Sequence, residues 1–118
     1  MKTRAGVLAQ YARVPAENVV PIPPELTPVQ ASGISLAGIT AYQALFDTAG
    51  LQPEQSVFVN GGSTAVGAFA IQFAKAIGCK VAASASAKNE AFVRGLGADE
   101  VRSLPSSPPF LLPIPTPR

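Results

Sequence analysis

The sequence predicts an α/β fold with a small parallel sheet in the order β-α-β-α-β. Two short apolar runs, 56–60 and 80–85, are each followed by an apolar pattern with helical spacing. A third strand is predicted from the turn at 97–102. Strands that alternate with helices through short connections are typical of parallel pairing with right-handed crossovers.

Composition limits the classes of function. A chain of 118 residues is expected to form one small domain with a modest core. Its net charge of +2, without a basic run, predicts no nucleic-acid surface. A single cysteine excludes an intrachain disulfide, and the absence of histidine removes His-based acid–base chemistry and nearly all zinc sites. Neither a signal peptide nor a membrane span is predicted, which favours a cytoplasmic protein.

Proline-rich segments lie on both sides of the predicted α/β region. Residues 7–14 predict a strand that Pro15 ends, and 15–26, with four of the twelve prolines, predicts an extended connector. Six more prolines lie in 104–118, which predicts a disordered or polyproline-like tail. The tail is interpreted as a segment without a selected role, and the alternative is a ligand for a proline-recognising domain.

A helical region is predicted to begin at Pro28. Thr27 and Gln30 have the spacing of a capping box, and proline suits the first helical position. The pattern is interrupted near Gly33–Ser35, resumes and ends at Gly50.

The central elements follow from apolar spacing. Residues 56–60 predict a strand that is buried on both faces. The helix after it, which Gly78 ends, has one predicted stripe toward the sheet, formed by Val66, Phe69, Ala70, Phe73, Ala74 and Ile77. A second strand is predicted at Lys80–Ala85. A second helix is predicted at Lys88–Leu96, with three inward residues, Phe92, Val93 and Leu96.

The glycine turn between the first strand and its helix is the candidate binding site. Strand, glycine turn and helix offer backbone N–H groups to an anion, most often a dinucleotide pyrophosphate. Its candidate binding residues are Gly61, Gly62, Ser63, Thr64, Ala65, Val66 and Gly67. The hydroxyls of Ser63 and Thr64 suit phosphate, although Thr64 stands where the strict G-x-G-x-x-G pattern has glycine. The alternative is a purely structural strand–helix turn.

The end of the second strand favours NADP(H) over NAD(H). No acidic residue lies between Gly62 and Asn89, whereas an NAD enzyme usually has one there for the ribose hydroxyl. Ser84, Ser86 and Lys88 instead cluster there, and hydroxyls with an ammonium suit a 2′-phosphate. The alternative is a polar loop with an ordinary surface lysine.

Four segments, in order, resemble the medium-chain dehydrogenase/reductase superfamily, in its zinc-free quinone oxidoreductase and enoyl reductase branch. They are Tyr42-Gln-Ala-Leu, Val57-Phe-Val-Asn-Gly-Gly-Ser-Thr-Ala-Val-Gly, Ile71-Gln-Phe-Ala-Lys with Gly78, and Leu96-Gly-Ala-Asp. The Gly-Gly-Ser-Thr turn is similar to that of fungal members. The resemblance covers about 7–103, and 104–118 does not resemble the family.

The resemblance implies a domain organisation and site roles. It implies a remnant of a GroES-like catalytic domain with its connector at 1–26, and a partial Rossmann NADP-binding domain at 27–103. The pyrophosphate would lie at Ser63–Val66, and Ser84 would stand where NAD-using relatives have an acid. Thr40 resembles a threonine near the nicotinamide, and the alternative is a hydroxyl bonded to its own helix.

The implied activity is NADPH-dependent hydride transfer to a quinone, enone or enoyl compound without zinc. The catalytic residues are expected outside this chain, which is expected to be a truncated and inactive piece of the enzyme. A homodimer through the nucleotide domain is also implied by the family. The alternative is a non-catalytic remnant that binds NADP(H) weakly or binds only a protein partner.

Overall fold

The computed structural model describes residues 8–104. The chain divides into two units, Met1–Ser32 and Gly33–Arg118. No helix among the described residues is long and apolar enough to cross a membrane.

The described part of the first unit, residues 8–32, contains irregular chain and two short helices. A 3₁₀ helix forms at Ala16–Asn18, and α1 spans Pro28–Ser32. The predicted capping box is confirmed, because the Thr27 N–H donates to Gln30 Oε1 (2.9 Å) and the Gln30 N–H donates to Thr27 Oγ1 (3.3 Å). The strand predicted at 7–14 is wrong for its described part, 8–14, which is exposed and pairs with no described strand. Backbone groups without a neighbouring strand are satisfied by water rather than by a ladder.

The second unit begins with a long helical segment. Helix α2 spans Ile34–Tyr42 and continues as a π-helical stretch, Gln43–Thr48. The predicted interruption is confirmed at Gly33, and the predicted stop is confirmed at Gly50, which has φ +60°. Helix α2 packs against the helix Ala65–Ala76, and Gly38 of α2 lies beside the ring of Phe69, where a Cβ would make ordinary van der Waals contact at 3.8 Å.

Within residues 8–104 the sheet has three parallel strands in the order β1-β2-β3, which confirms the predicted element order. The strands are β1 Ser56–Val59, β2 Lys80–Ser86 and β3 Glu100–Leu104. Val57 pairs with Val81, and Ala82 pairs with Glu100. The connecting helices are α3 Ala65–Ala76, the 3₁₀ turn Ala87–Asn89 and α4 Glu90–Gly95. Leu104, the first residue of the predicted tail, instead ends β3, and 105–118 lies outside the described residues.

The predicted stripe of α3 is confirmed in part, because Ala70 and Ala74 are buried and Ile77 packs partly buried against the core. The residues buried along α3 are Gly67, Ala70, Ile71 and Ala74, whereas Val66 is 37% exposed. Phe69 and Phe73 are only partly buried and lie in an aromatic cluster, in which Tyr42 meets Phe73 edge-on at 6.3 Å between ring centroids. The helix therefore has two packing faces, one toward the sheet and one toward α2.

Two further burial predictions need correction. The strand β1 is not buried on both faces: Val59 is in the core, but Phe58 on the opposite face is 55% exposed. In α4, Val93 is fully buried as predicted, whereas Phe92 is 52% exposed. Consecutive side chains of an α-helix lie about 100° apart around its axis. In this six-residue helix, Phe92 therefore points away from the core that Val93 enters.

Candidate functional site

The glycine turn joins β1 to α3 and has a conformation that two glycines make possible. Gly61 has φ +78°, a left-handed conformation that favours glycine. A Cβ at Gly67 would overlap the carbonyl oxygen of Gly61, so the first turn of α3 lies directly against the loop. The turn is closed by the Thr64 N–H, which donates to the Gly61 carbonyl oxygen at 3.0 Å.

Gly62 fixes the turn to the sheet. Its N–H donates to the carbonyl oxygen of Ser84 at 2.8 Å. A Cβ at Gly62 would come within 3.0 Å of both Ala83 Cβ and Ile71 Cδ1. The absence of a side chain therefore lets the loop backbone pack onto β2 and α3 together.

Ser84 of β2 stabilises the turn through its hydroxyl. Its side chain is 2% exposed; Oγ accepts from the Gly61 N–H at 2.9 Å and donates to Asn60 Oδ1 at 2.6 Å. The Ser84 hydroxyl, which was predicted to lie beside a 2′-phosphate, is buried and bonded within the turn. The sequence analysis did not identify Asn60 as part of this site. An amide side chain directly after the first strand was the feature that could have indicated it.

Thr64 caps α3. Its Oγ1 accepts from the Gly67 N–H at 3.1 Å and donates to the Gly61 carbonyl oxygen at 2.8 Å. The hydroxyl proton that was predicted to bond phosphate is therefore used within the turn. Thr64 is the N-cap of α3, and the glycine of the strict pattern has no side chain that could form this cap.

Three backbone N–H groups at this turn have no hydrogen-bond partner among residues 8–104. They belong to Ser63, Ala65 and Val66, at the start of a helix of 12 residues. Unpaired N–H groups and the helix dipole together give this end a positive potential. The backbone therefore offers several donors to one anion.

The end of β2 lies beside the turn. Asn89 Nδ2 donates to Ser63 Oγ at 3.1 Å and joins the 3₁₀ turn to the glycine turn. Ser86 and Lys88 belong to the same stretch; Lys88 is exposed and forms no ion pair within the described part of the chain. Sequence reasoning also missed Asn89, although an asparagine follows each of the first two strands.

Thr40 lies on α2, outside this hydrogen-bonded group. Its Oγ1 donates to the carbonyl oxygen of Leu36 at 2.8 Å, which matches the alternative of a hydroxyl bonded to its own helix. Cys79 is buried, and its Sγ lies 3.2 Å from the carbonyl oxygen of Gln52. Its role as a small core residue follows from this burial.

Known proteins with similar sequences include a trans-enoyl reductase and a quinone oxidoreductase. The chain is 37% identical over 99 residues to a trans-enoyl reductase of Aspergillus terreus, covering 84% of this chain and 28% of the relative. It is 36% identical over 101 residues to a chloroplastic quinone oxidoreductase of Triphysaria versicolor, covering 81% and 31%. No protein-family model matches the chain.

Solved structures of related oxidoreductases also match this chain. An alcohol dehydrogenase superfamily protein from Novosphingobium aromaticivorans matches with a TM-score of 0.64 and 42% identity, covering 67% of this chain and 24% of that one. The resemblance to the medium-chain dehydrogenase/reductase superfamily is confirmed. A quinone oxidoreductase from Thermus thermophilus, solved also in complex with NADPH, matches with a TM-score of 0.64 and 34% identity. The match covers 70% of this chain and 28% of that one. The chain spans less than a third of the length of these relatives.

Proposed function

We propose that the glycine turn binds the diphosphate of NADPH in a protein that reduces quinones, enones or enoyl compounds. The observation that carries the proposal is the set of three unpartnered N–H groups, from Ser63, Ala65 and Val66, at the N-terminus of α3. Relatives named as quinone oxidoreductases and trans-enoyl reductases support the substrate class.

The residues present fit such a cofactor. The amides at 63, 65 and 66 would donate to diphosphate oxygens, and Gly67 lets the phosphate-facing loop lie close to the helix. Ser86 and Lys88 would contact the 2′-phosphate, while Ser84 supports the turn from below. When bound, NADPH supplies the hydride, and this chain supplies position and electrostatic stabilisation.

The runner-up function is cofactor binding without turnover. It is favoured by the hydrogen bonds within the turn, because the hydroxyls of Ser84 and Thr64 are used there and no described side chain at the turn is a free acid or base. Polarisation of a substrate would then need groups beyond those described.

Isothermal titration of the purified 118-residue chain with NADPH and NADH tests the proposal. We expect NADPH to bind at millimolar concentration or below and to bind more tightly than NADH. No heat of binding at millimolar NADPH would overturn the proposed cofactor site. Quinone reduction by the chain, measured as loss of NADPH absorbance, separates the oxidoreductase from the binding-only alternative.

A further inference from the structure

The hydrogen bond between Asn89 and Ser63 joins two loops that are 26 residues apart in sequence. We infer that Asn89 is a positioning residue that orients the Ser63 hydroxyl as a donor to the cofactor diphosphate. This inference rests on the proposed function and adds to it a residue that acts through Ser63.

The polarity of this bond decides the direction of the Ser63 proton. A serine hydroxyl has one donor and two acceptor positions. Asn89 Nδ2 donates to Ser63 Oγ at 3.1 Å, so one acceptor position is occupied and the O–H points elsewhere. No described residue accepts that proton. It therefore remains for a ligand at the same turn as the three unpartnered N–H groups.

The position of Asn89 is itself fixed by the fold. It ends the 3₁₀ turn Ala87–Asn89, in which the Glu90 N–H donates to the Ala87 carbonyl oxygen. It then leads directly into α4, which the fully buried Val93 anchors in the core. Its side chain is partly buried, so the carboxamide is held close to the turn by elements on both sides.

A comparison of four proteins tests the inference: wild type, Asn89→Ala, Ser63→Ala and the double variant, each titrated with NADPH and NADH. Loss of one hydrogen bond to a charged group predicts about tenfold weaker binding for Ser63→Ala. Asn89→Ala should weaken both cofactors by about threefold to tenfold, because both carry the diphosphate. The double variant should bind as weakly as Ser63→Ala alone, since Asn89 acts through Ser63.

Lys88→Ala is the comparison variant in the same loop, because it should weaken the binding of NADPH and leave the binding of NADH unchanged. An Asn89→Ala effect confined to NADPH would mean that Asn89 supports the 2′-phosphate side and would overturn the inference. Additive effects of the two substitutions, or unchanged affinity, would overturn it as well. In each of these outcomes the wild type still binds, so the proposed function stands.

Absence of binding by the wild type would instead overturn the proposed function and this inference together.

Circular dichroism checks that each variant folds. If Asn89→Ala does not fold, Asn89→Asp replaces it with a side chain of similar shape. Its carboxylate would accept the Ser63 proton and repel the diphosphate, so both cofactors should bind more weakly. Affinity equal to that of the wild type would contradict the inference.

Discussion

Side-chain hydroxyls at the glycine turn fall into two groups that differ in what they can bind. Those of Ser84 and Thr64 are used to hold the turn and to cap α3. That of Ser63 accepts a bond from Asn89 and retains its proton for a ligand. Residue types therefore predicted the candidate site but not the role of each hydroxyl, because a hydroxyl's role depends on which partner the folded backbone brings to it.

Lys88 is the residue we expect to distinguish the two cofactors. It is exposed beside the turn, and a 2′-phosphate is present in NADPH alone. Lys88→Ala should reduce the affinity for NADPH about tenfold and leave that for NADH unchanged, because one charge-assisted contact is lost. Isothermal titration gives both affinities.

Lys80→Ala is the matched control for that substitution. Lys80 is also exposed, but it begins β2, at the other end of the strand from the glycine turn. It should therefore change neither affinity by more than a small factor. Equal losses from the two substitutions would mean that the lysines act through net charge rather than through a 2′-phosphate contact.

At the scale of elements, the order and direction of the strands could be predicted from sequence because apolar spacing and glycine stops are local signals. The face that each helix buries is not local. Ile71 faces the sheet and Phe73 faces the aromatic cluster with Tyr42, since α3 has two partners. The strand expected at 7–14 has no described strand beside it, and Phe58 is exposed because only one face of β1 is covered by described residues.

The N-cap of α3 gives a prediction about the stability of that element. Thr64→Ala removes the acceptor of the Gly67 N–H and should lower the free energy of unfolding by about 1 kcal/mol. Thr64→Ser keeps the oxygen and should restore most of this loss. Urea denaturation followed by circular dichroism measures both variants.

Thr48→Ala serves as the control for the cap. Thr48 is exposed at the end of the π-helical stretch and makes no side-chain hydrogen bond with the described residues. Its replacement should change the free energy of unfolding by less than about 0.5 kcal/mol. A loss at Thr48 as large as that at Thr64 would show that the effect is not specific to the cap.

At the scale of the whole second unit, one carboxylate connects three elements at the amino ends of the strands. Lys75 of α3 donates from Nζ to both oxygens of Asp99 at 2.9 Å, and the Val81 N–H of β2 donates to Oδ2 at 2.7 Å. Asp99 itself directly precedes β3. The sheet is thus fastened at one end by this ion pair and at the other by the bonds of Ser84 to the glycine turn.

This connection should make stability depend on acid. The hydrogen bond from Lys75, followed by that from the Val81 N–H, lowers the pKa of Asp99 below its ordinary value of 3.8. The unfolded chain therefore binds this proton more readily than the folded chain. The ionised carboxylate stabilises the fold above pH 3.8, and this stabilisation is lost as the pH falls through 3.8 and then through the lower folded pKa.

Asp99→Asn should be less stable than the wild type at neutral pH, and the difference should shrink in acid. Urea midpoints from about pH 7 to about pH 3 measure this. A gap between Asp99→Asn and the wild type that stays constant down to the lowest pH would show that the ionised carboxylate does not contribute to the fold.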